Sequence, residues 1–158
     1  MKRDPTPVLT DDLTIQQYMG QRKLTVNEHL DHCLPPLDTP PEVIPQAMRY
    51  SVFPGGKRIR PILALTTGEA LGGDFQKMIS LAAALEMIHT YSLIHDDLPA
   101  MDDDDYRRGQ LSTHKKFGEG IAILAGNALL VRAFQLLTEL PVQAQETESK
   151  VVVLDQLC

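Results

Sequence analysis

Apolar residues recur at helical spacing along most of the chain, and the alternation typical of strands is almost missing. Thr14 and Gln17 stand three residues apart, which is the spacing of a capping box. A first helix is therefore predicted from just after Thr14 to about His32. Its apolar positions share one helical face and are Ile15, Tyr18, Met19, Val26, Leu30 and Cys33.

Proline and glycine divide the rest of the chain into further helices. The proline-rich segment 34–41 ends the first helix and has an ordinary loop length. Later helices are predicted over 42–52, from Pro61 to Gly72-Gly73, over 75–98, over 120–140 and from about Glu146 to Leu157. The helix over 75–98 carries the longest apolar stripe, so we expect it at the centre of the bundle. The pattern indicates an all-α fold.

The size and composition are those of an ordinary globular protein. With 158 residues, 43% of them hydrophobic, the chain can form one domain, residues 1–158, without disulfides or structural metals. Cys33 and Cys158 are expected to be free thiols in a reducing compartment. No secretory leader is visible and no window approaches the length of an apolar membrane span. We therefore expect a cytoplasmic protein.

The charge is unevenly distributed. The net charge of −6 argues against a general nucleic-acid binder, because phosphate binding needs surplus Lys and Arg. Six carboxylates fall within the ten residues 96–105, and basic residues follow at once. Divalent cations relieve such repulsion, and oxygen ligands suit magnesium. The alternative is a solvated acidic loop.

Two aspartates are candidate ligands of one metal ion, although spacing alone does not settle the assignment. Pro99 disrupts the end of the long helix, which lets the chain curl so that Asp96 and Asp102 face one ion. His89 lies seven residues before Asp96, on the same helical face. The alternative for His89 is a satisfied interior histidine.

Two basic segments favour binding of a diphosphate. Residues 55–61, Gly-Gly-Lys-Arg-Ile-Arg-Pro, combine a close backbone approach, three cations and a helix N-terminus. They lack the spacing of a Walker loop. Arg107-Arg108-Gly109 follows the acidic run, and arginine forks match phosphate oxygens. The alternatives are a glycine turn with solvated basic side chains and simple charge balance for the aspartates.

Three segments in this order resemble the trans-isoprenyl diphosphate synthases, particularly the bacterial farnesyl diphosphate synthases. They are Gly55–Pro61, Glu86–Asp97 and Asp102–Gly109, within a similarity that runs from about Met48 to Leu130. The resemblance implies an antiparallel helix bundle around a deep cavity, usually a homodimer. It also implies an enzyme that joins an allylic diphosphate to isopentenyl diphosphate, with farnesyl diphosphate as the favoured product and geranylgeranyl diphosphate next.

The resemblance also assigns residues. Asp96 and Asp102 correspond to ligands of catalytic magnesium, and Arg107 to a ligand of the allylic diphosphate. The residues that correspond to ligands of isopentenyl diphosphate are Lys57, Arg60, His89 and Arg108. Tyr91 and Ser92, about one turn before the aspartates, correspond to residues that limit product length. The alternative for Tyr91 is ordinary packing between helices.

The sequence departs from the family in two places. A second aspartate-rich motif and a Lys-Thr segment, expected about a hundred or more residues further on, are not among the 158 residues, and Asn127 replaces the family's aspartate after Gly126. We therefore expect the truncated N-terminal half of a synthase, with little or no turnover by itself. The alternative function is a catalytically incomplete fragment that binds diphosphates or dimerises.

Overall fold

The computed structural model describes residues 13–139, which form six helices and one small hairpin. The helices are α1 (Ile15–Cys33), α2 (Val43–Val52), α3 (Ile59–Ala70), α4 (Phe75–Asp96), α5 (Thr113–Phe117) and α6 (Glu119–Glu139). The hairpin pairs β1 (Tyr106–Arg107) with β2 (Gln110–Leu111) in antiparallel register. The expected all-α bundle is confirmed.

The longest helix, α4, lies at the centre of the bundle, as its apolar stripe predicts. It packs against α6, α3, α1 and α2. Small buried side chains on both α4 and α6 let these two helices approach closely. They include Ala82, Ala83 and Ala84 on α4 and Ala122, Ala125, Gly126 and Ala133 on α6. This central position places the C-terminal end of α4, which carries the aspartates, next to the hairpin.

The capping box of α1 is confirmed, but its predicted apolar stripe is partly wrong. Thr14 Oγ1 accepts a hydrogen bond from the N–H of Gln17, and Gln17 Oε1 accepts one from the N–H of Thr14. Ile15, which belongs to the predicted stripe, is 75% exposed, whereas Arg22, which does not, is buried. Arg22 is held there by an ion pair with Glu69, at 2.6 Å. The buried face of α1 thus includes a paired guanidinium that the apolar pattern did not predict.

Helix boundaries differ from the predictions where short-range interactions override the pattern. Helix α3 begins two residues before Pro61, and α4 ends at Asp96 rather than near Leu98. The hairpin and α5 were not predicted, because two-residue strands and a five-residue helix are too short to show a period. Cys33 is free and buried, as expected. The predicted helix from Glu146, Pro141 and Cys158 lie outside the described residues.

Helix α6 is long and apolar enough to cross a membrane by length and composition, with a mean hydropathy of 1.7 over its most apolar window. This contradicts the expectation that no window approaches a membrane span. The helix packs against α2, α4 and α5, and a core helix of a bundle has the same composition. Within the described residues, 39% of that window is buried, and Ile123, Leu124 and Val131 are exposed.

Candidate functional site

A basic cavity of about 530 Å³ lies where the start of α3, the middle of α4 and the hairpin meet. Its lining residues are Lys57, Arg58, Ile59, Arg60, Glu86, His89 and Arg108. The four residues that correspond to ligands of isopentenyl diphosphate are all among them. The fold therefore brings together residues that are up to 51 positions apart in the sequence.

Arg58 was predicted to be one of three cations that project from the start of α3, and this prediction is wrong. It is only 2% exposed and has a left-handed backbone, with φ of 54°. Its guanidinium donates to Glu86 Oε1 at 2.6 Å, to Asn27 Oδ1 at 2.8 Å and to the Val52 carbonyl at 2.6 Å. Arg58 thus anchors the segment, and the exposed cations of that segment are Lys57 and Arg60.

Gly56 lies close to two guanidinium groups. A Cβ at this position would lie 2.9 Å from Arg108 Nη1 and 3.0 Å from Arg58 Nη1. Arg108 also donates from Nη1 to the Pro54 carbonyl, at 3.2 Å. The glycine therefore makes room for two guanidinium groups at the turn, and the approach of a ligand to its backbone stays a prediction.

The basic side chains that line the cavity carry more positive charge than its carboxylate, Glu86, can neutralise. Glu86 faces the cavity but is already paired with Arg58. Burial lowers the pKa of Arg108, and the nearby Arg58 and Arg107 lower it further. Burial also lowers the pKa of His89, and Arg60, whose Nη1 is 3.4 Å from His89 Nε2, adds to this. A multiply charged anion would relieve this repulsion.

The histidines predict a pH dependence of stability. Burial lowers the pKa of both His29 and His89 in the folded protein below their ordinary value of 6.5. Below about pH 6.5 the unfolded chain therefore binds more protons than the folded one, so the free energy of unfolding should fall from about pH 7 to pH 5. Urea unfolding across this range, with His29→Gln and His89→Gln, measures it. Each variant should flatten the profile, and an unchanged slope in both would contradict this assignment.

The chain curls after α4 as Pro99 predicts. The N–H of Asp102 donates to the carbonyl of Asp96 at 2.8 Å, and the N–H of Asp103 donates to the carbonyl of Leu98 at 3.1 Å. Asp96 is half-buried and Asp102 is exposed. This backbone link brings the two residues together, and carboxylate oxygens are the kind of ligand that suits a hard divalent cation. Their sharing of one ion stays a prediction.

Three other side chains near this loop could also hold a cation, and the sequence analysis did not identify them as a group. Asp103, Asp105 and His114 offer ligand atoms that all lie within 4.8 Å of one another. Asp105 is in addition paired with Lys115, at 2.7 Å. His114 lies nine residues beyond Asp105, and no local spacing rule joins them. The hairpin brings them together.

Arg107 has a protein partner that the sequence analysis did not name. Its Nε donates to both carboxylate oxygens of Asp97, at 2.7 and 2.8 Å, and its Nη2 donates to Asp97 Oδ1. This hydrogen bonding raises the pKa of Arg107. The charge balance considered as the alternative for Arg107 is therefore present. Contact with an allylic diphosphate stays a prediction.

The two residues expected to limit product length lie on α4 below the aspartates. The Tyr91 ring packs edge-on against His95, with centroids 4.6 Å apart, and both rings lie against Gly126 of α6. A Cβ at Gly126 would approach His95 Nε2 to 2.5 Å. Ser92 Oγ donates to the His89 carbonyl at 2.8 Å. The packing expected of Tyr91 as the alternative is present, and its limiting role stays a prediction.

Comparisons with known proteins agree on one family. A family model described as polyprenyl synthetase matches residues 41–157. The chain is 52% identical over 128 residues to a farnesyl diphosphate synthase of Geobacillus stearothermophilus, covering 81% of this chain and 43% of that protein. It is 51% identical over 129 residues to geranylgeranyl pyrophosphate synthase 4 of Arabidopsis thaliana, covering 82% and 34% of the two chains. The chain thus spans less than half the length of these relatives.

Solved structures give the same result. An FPP/GFPP synthase from Zymomonas mobilis superposes with a TM-score of 0.83 at 35% identity, over 90% of this chain and 51% of that one. A geranyltranstransferase from Thermotoga maritima superposes with a TM-score of 0.71 at 44% identity, over 77% and 45%. The helix bundle described above therefore corresponds to about half of these folds.

Proposed function

Since the chain belongs to the polyprenyl synthetase family, we propose that it carries the two diphosphate-binding sites of a short-chain trans-prenyltransferase. The enzyme would condense an allylic diphosphate with isopentenyl diphosphate. The observation that carries the proposal is the basic cavity, in which Lys57, Arg60, His89 and Arg108 converge beside the aspartate-rich loop. If these basic side chains were only solvated, they would have no reason to meet in one cavity.

Each diphosphate has its own set of residues in the proposal. Lys57, Arg60 and Arg108 hold the diphosphate of isopentenyl diphosphate, and His89 donates a hydrogen bond to it. Asp96 and Asp102 would hold magnesium, which when bound neutralises charge on the leaving allylic diphosphate.

Adjacent arginines support two separate sites. Arg107 is directed to Asp97 at the end of α4, whereas Arg108 lines the basic cavity. Arg108 has a left-handed backbone, with φ of 53°, and the positive-φ Gly109 follows it in the turn of the hairpin. Neighbouring residues can therefore serve two diphosphates that must lie close enough to react.

The chemistry needs cations placed before the reaction begins. The carbon–oxygen bond of the allylic diphosphate breaks and its electron pair leaves with the diphosphate. The double bond of isopentenyl diphosphate then attacks the allylic cation, a carbon–carbon bond forms and a proton is lost. Because negative charge grows on the leaving group, a fixed cation such as Arg107 stabilises the transition state more than the ground state.

The finer parts of the proposal follow from the resemblance and the relatives. Farnesyl diphosphate is the favoured product and geranylgeranyl diphosphate the next, and synthases of both names are among the relatives. Tyr91, supported by its half-buried place on α4 against α6, limits the product with Ser92. The enzyme is a cytoplasmic homodimer that uses magnesium, and residues 1–158 belong to one domain.

A second candidate function is diphosphate binding without turnover. Two observations favour it. The chain spans 43% of the length of the Geobacillus synthase, and its 158 residues contain a single aspartate-rich segment. Product formation from radiolabelled isopentenyl diphosphate, with and without magnesium, distinguishes synthesis from binding alone. We expect the 158 residues by themselves to give little or no product.

The cavity assignment predicts a selective loss of affinity. Lys57→Ala and Arg60→Ala should each lower the affinity for isopentenyl diphosphate by about 10- to 100-fold, because each removes a charged hydrogen bond. Their effect on dimethylallyl diphosphate with magnesium should be much smaller. Isothermal titration calorimetry measures both ligands, with Lys116→Ala on α5 as an exposed control. Equal losses for the two ligands would mean that they share one site.

A further inference from the structure

Two adjacent aspartates at the end of α4 have different surroundings. Asp96, the last residue of the helix, is half-buried, and its carboxylate has no hydrogen-bond partner within residues 13–139. Asp97 is only 2% exposed, and both of its oxygens accept hydrogen bonds from Arg107. Consecutive residues near a helix end point about 100° apart, so one carboxylate faces the loop and the other faces the interior. The two aspartates therefore have different tasks.

The burial of Asp97 requires Arg107. A carboxylate at the C-terminal end of a helix meets the negative end of the helix dipole, and burial removes the water that would solvate it. The two-pronged pairing with Arg107 offsets both costs, as planar guanidinium and carboxylate groups match well. Because every hydrogen bond to the Asp97 oxygens comes from this one guanidinium within the described chain, the pair behaves as a unit.

The pairing leaves one edge of Arg107 open. Its Nε and Nη2 are engaged by Asp97, and Asp104 lies 3.6 Å from Nη2. Its Nη1 has no hydrogen-bond partner among residues 13–139, and the side chain is 31% exposed. The fork is therefore fixed on one side and accessible on the other, next to the loop that carries Asp102.

We propose that Asp97 is a positioning residue: it holds the Arg107 fork so that its open edge faces a diphosphate at the aspartate-rich loop. It is not a metal ligand, although it stands beside Asp96 in the motif, because both of its oxygens are occupied and almost fully buried. The inference rests on the proposed function, since the anion that Arg107 meets is the allylic diphosphate of that function.

The test is a double-mutant cycle with inorganic diphosphate and magnesium as the probe. Asp97→Asn and Arg107→Gln should each lower the affinity for the probe by about tenfold or more. The double variant should bind the probe as well as the single variant that binds it less tightly. Asp31→Asn is a matched control, because Asp31 pairs with Arg49 far from the loop and should leave the affinity unchanged. Thermal unfolding of each variant confirms that it is folded.

A spectroscopic measurement tests positioning without any ligand. In the wild type, the Nε–H of Arg107 should give a protected NMR signal, and Asp97→Asn should remove that protection. If Asp97→Asn fails to fold, Arg107→Lys takes its place: it keeps the charge but lacks the fork, and should lose affinity to a similar extent.

Three outcomes would count against the proposal, and they are distinguishable. Wild-type affinity in Asp97→Asn or Arg107→Lys, or losses that add in the double variant, would overturn the positioning role while leaving the proposed function intact. An unprotected Arg107 Nε–H in the wild type would do the same. If the wild type binds no inorganic diphosphate, the proposed function fails, and the positioning role fails with it.

Discussion

Asp96→Ala and Asp102→Ala should each abolish the magnesium-dependent binding of an allylic diphosphate. In the proposal each substitution removes one anionic oxygen ligand from an ion that few protein groups would hold, and the backbone hydrogen bond between the two residues places them next to each other. We expect a loss of at least about 100-fold, because even outer-shell partners of a metal are worth about 10- to 100-fold. Calorimetric titration with and without magnesium measures it.

The controls for this prediction separate two groups of carboxylates. Asp38→Ala, in the loop between α1 and α2, should change nothing. Asp105→Ala removes a member of the group formed with Asp103 and His114. Unchanged affinity in Asp96→Ala together with a loss in Asp105→Ala would assign the cation to that second group and contradict the assignment to Asp96 and Asp102.

Glu86→Ala should destabilise the protein by about 3–5 kcal/mol, because it leaves the Arg58 guanidinium buried without its charge partner. The two side chains are only 1% and 3% exposed, so water cannot replace the lost partner. Urea unfolding measures the change. Isopentenyl diphosphate binding should also be lost, since Arg58 fixes the segment between Lys57 and Arg60.

Two comparison variants make this second prediction specific. Asp105→Ala breaks the exposed pair with Lys115 and should cost much less stability than Glu86→Ala, because water replaces the lost partner. Replacing both members of the buried pair, Arg58→Met with Glu86→Leu, should recover part of the stability, since no unpaired charge remains. A loss below about 1 kcal/mol in Glu86→Ala would show that Arg58 finds other partners or water.

Much of the helical framework could be predicted from local patterns. The capping box at Thr14 and Gln17 and the long apolar stripe of α4 depend on spacings within a few turns, so the sequence alone shows them. Pro99 likewise predicts the curl that returns Asp102 to Asp96, because the ring of proline acts on its own neighbours. The hairpin is too short to show such a pattern, and it is this hairpin that carries Arg107 and Arg108.

The sequence by itself determined the helix bundle, the acidic loop and the residues that make a diphosphate site chemically reasonable. Only the tertiary structure decided which of several like-charged side chains are buried in ion pairs and which stay exposed. Arg58 and Arg60 are the same residue type in the basic segment. Only Arg58 is buried, because it forms an ion pair with Glu86, which lies 28 residues further along the chain. Asp96 and Asp97 are the same residue type side by side in the motif, yet only Asp97 is buried and paired with Arg107. Burial and pairing are set by contacts between distant residues, so the local pattern of charge cannot reveal them.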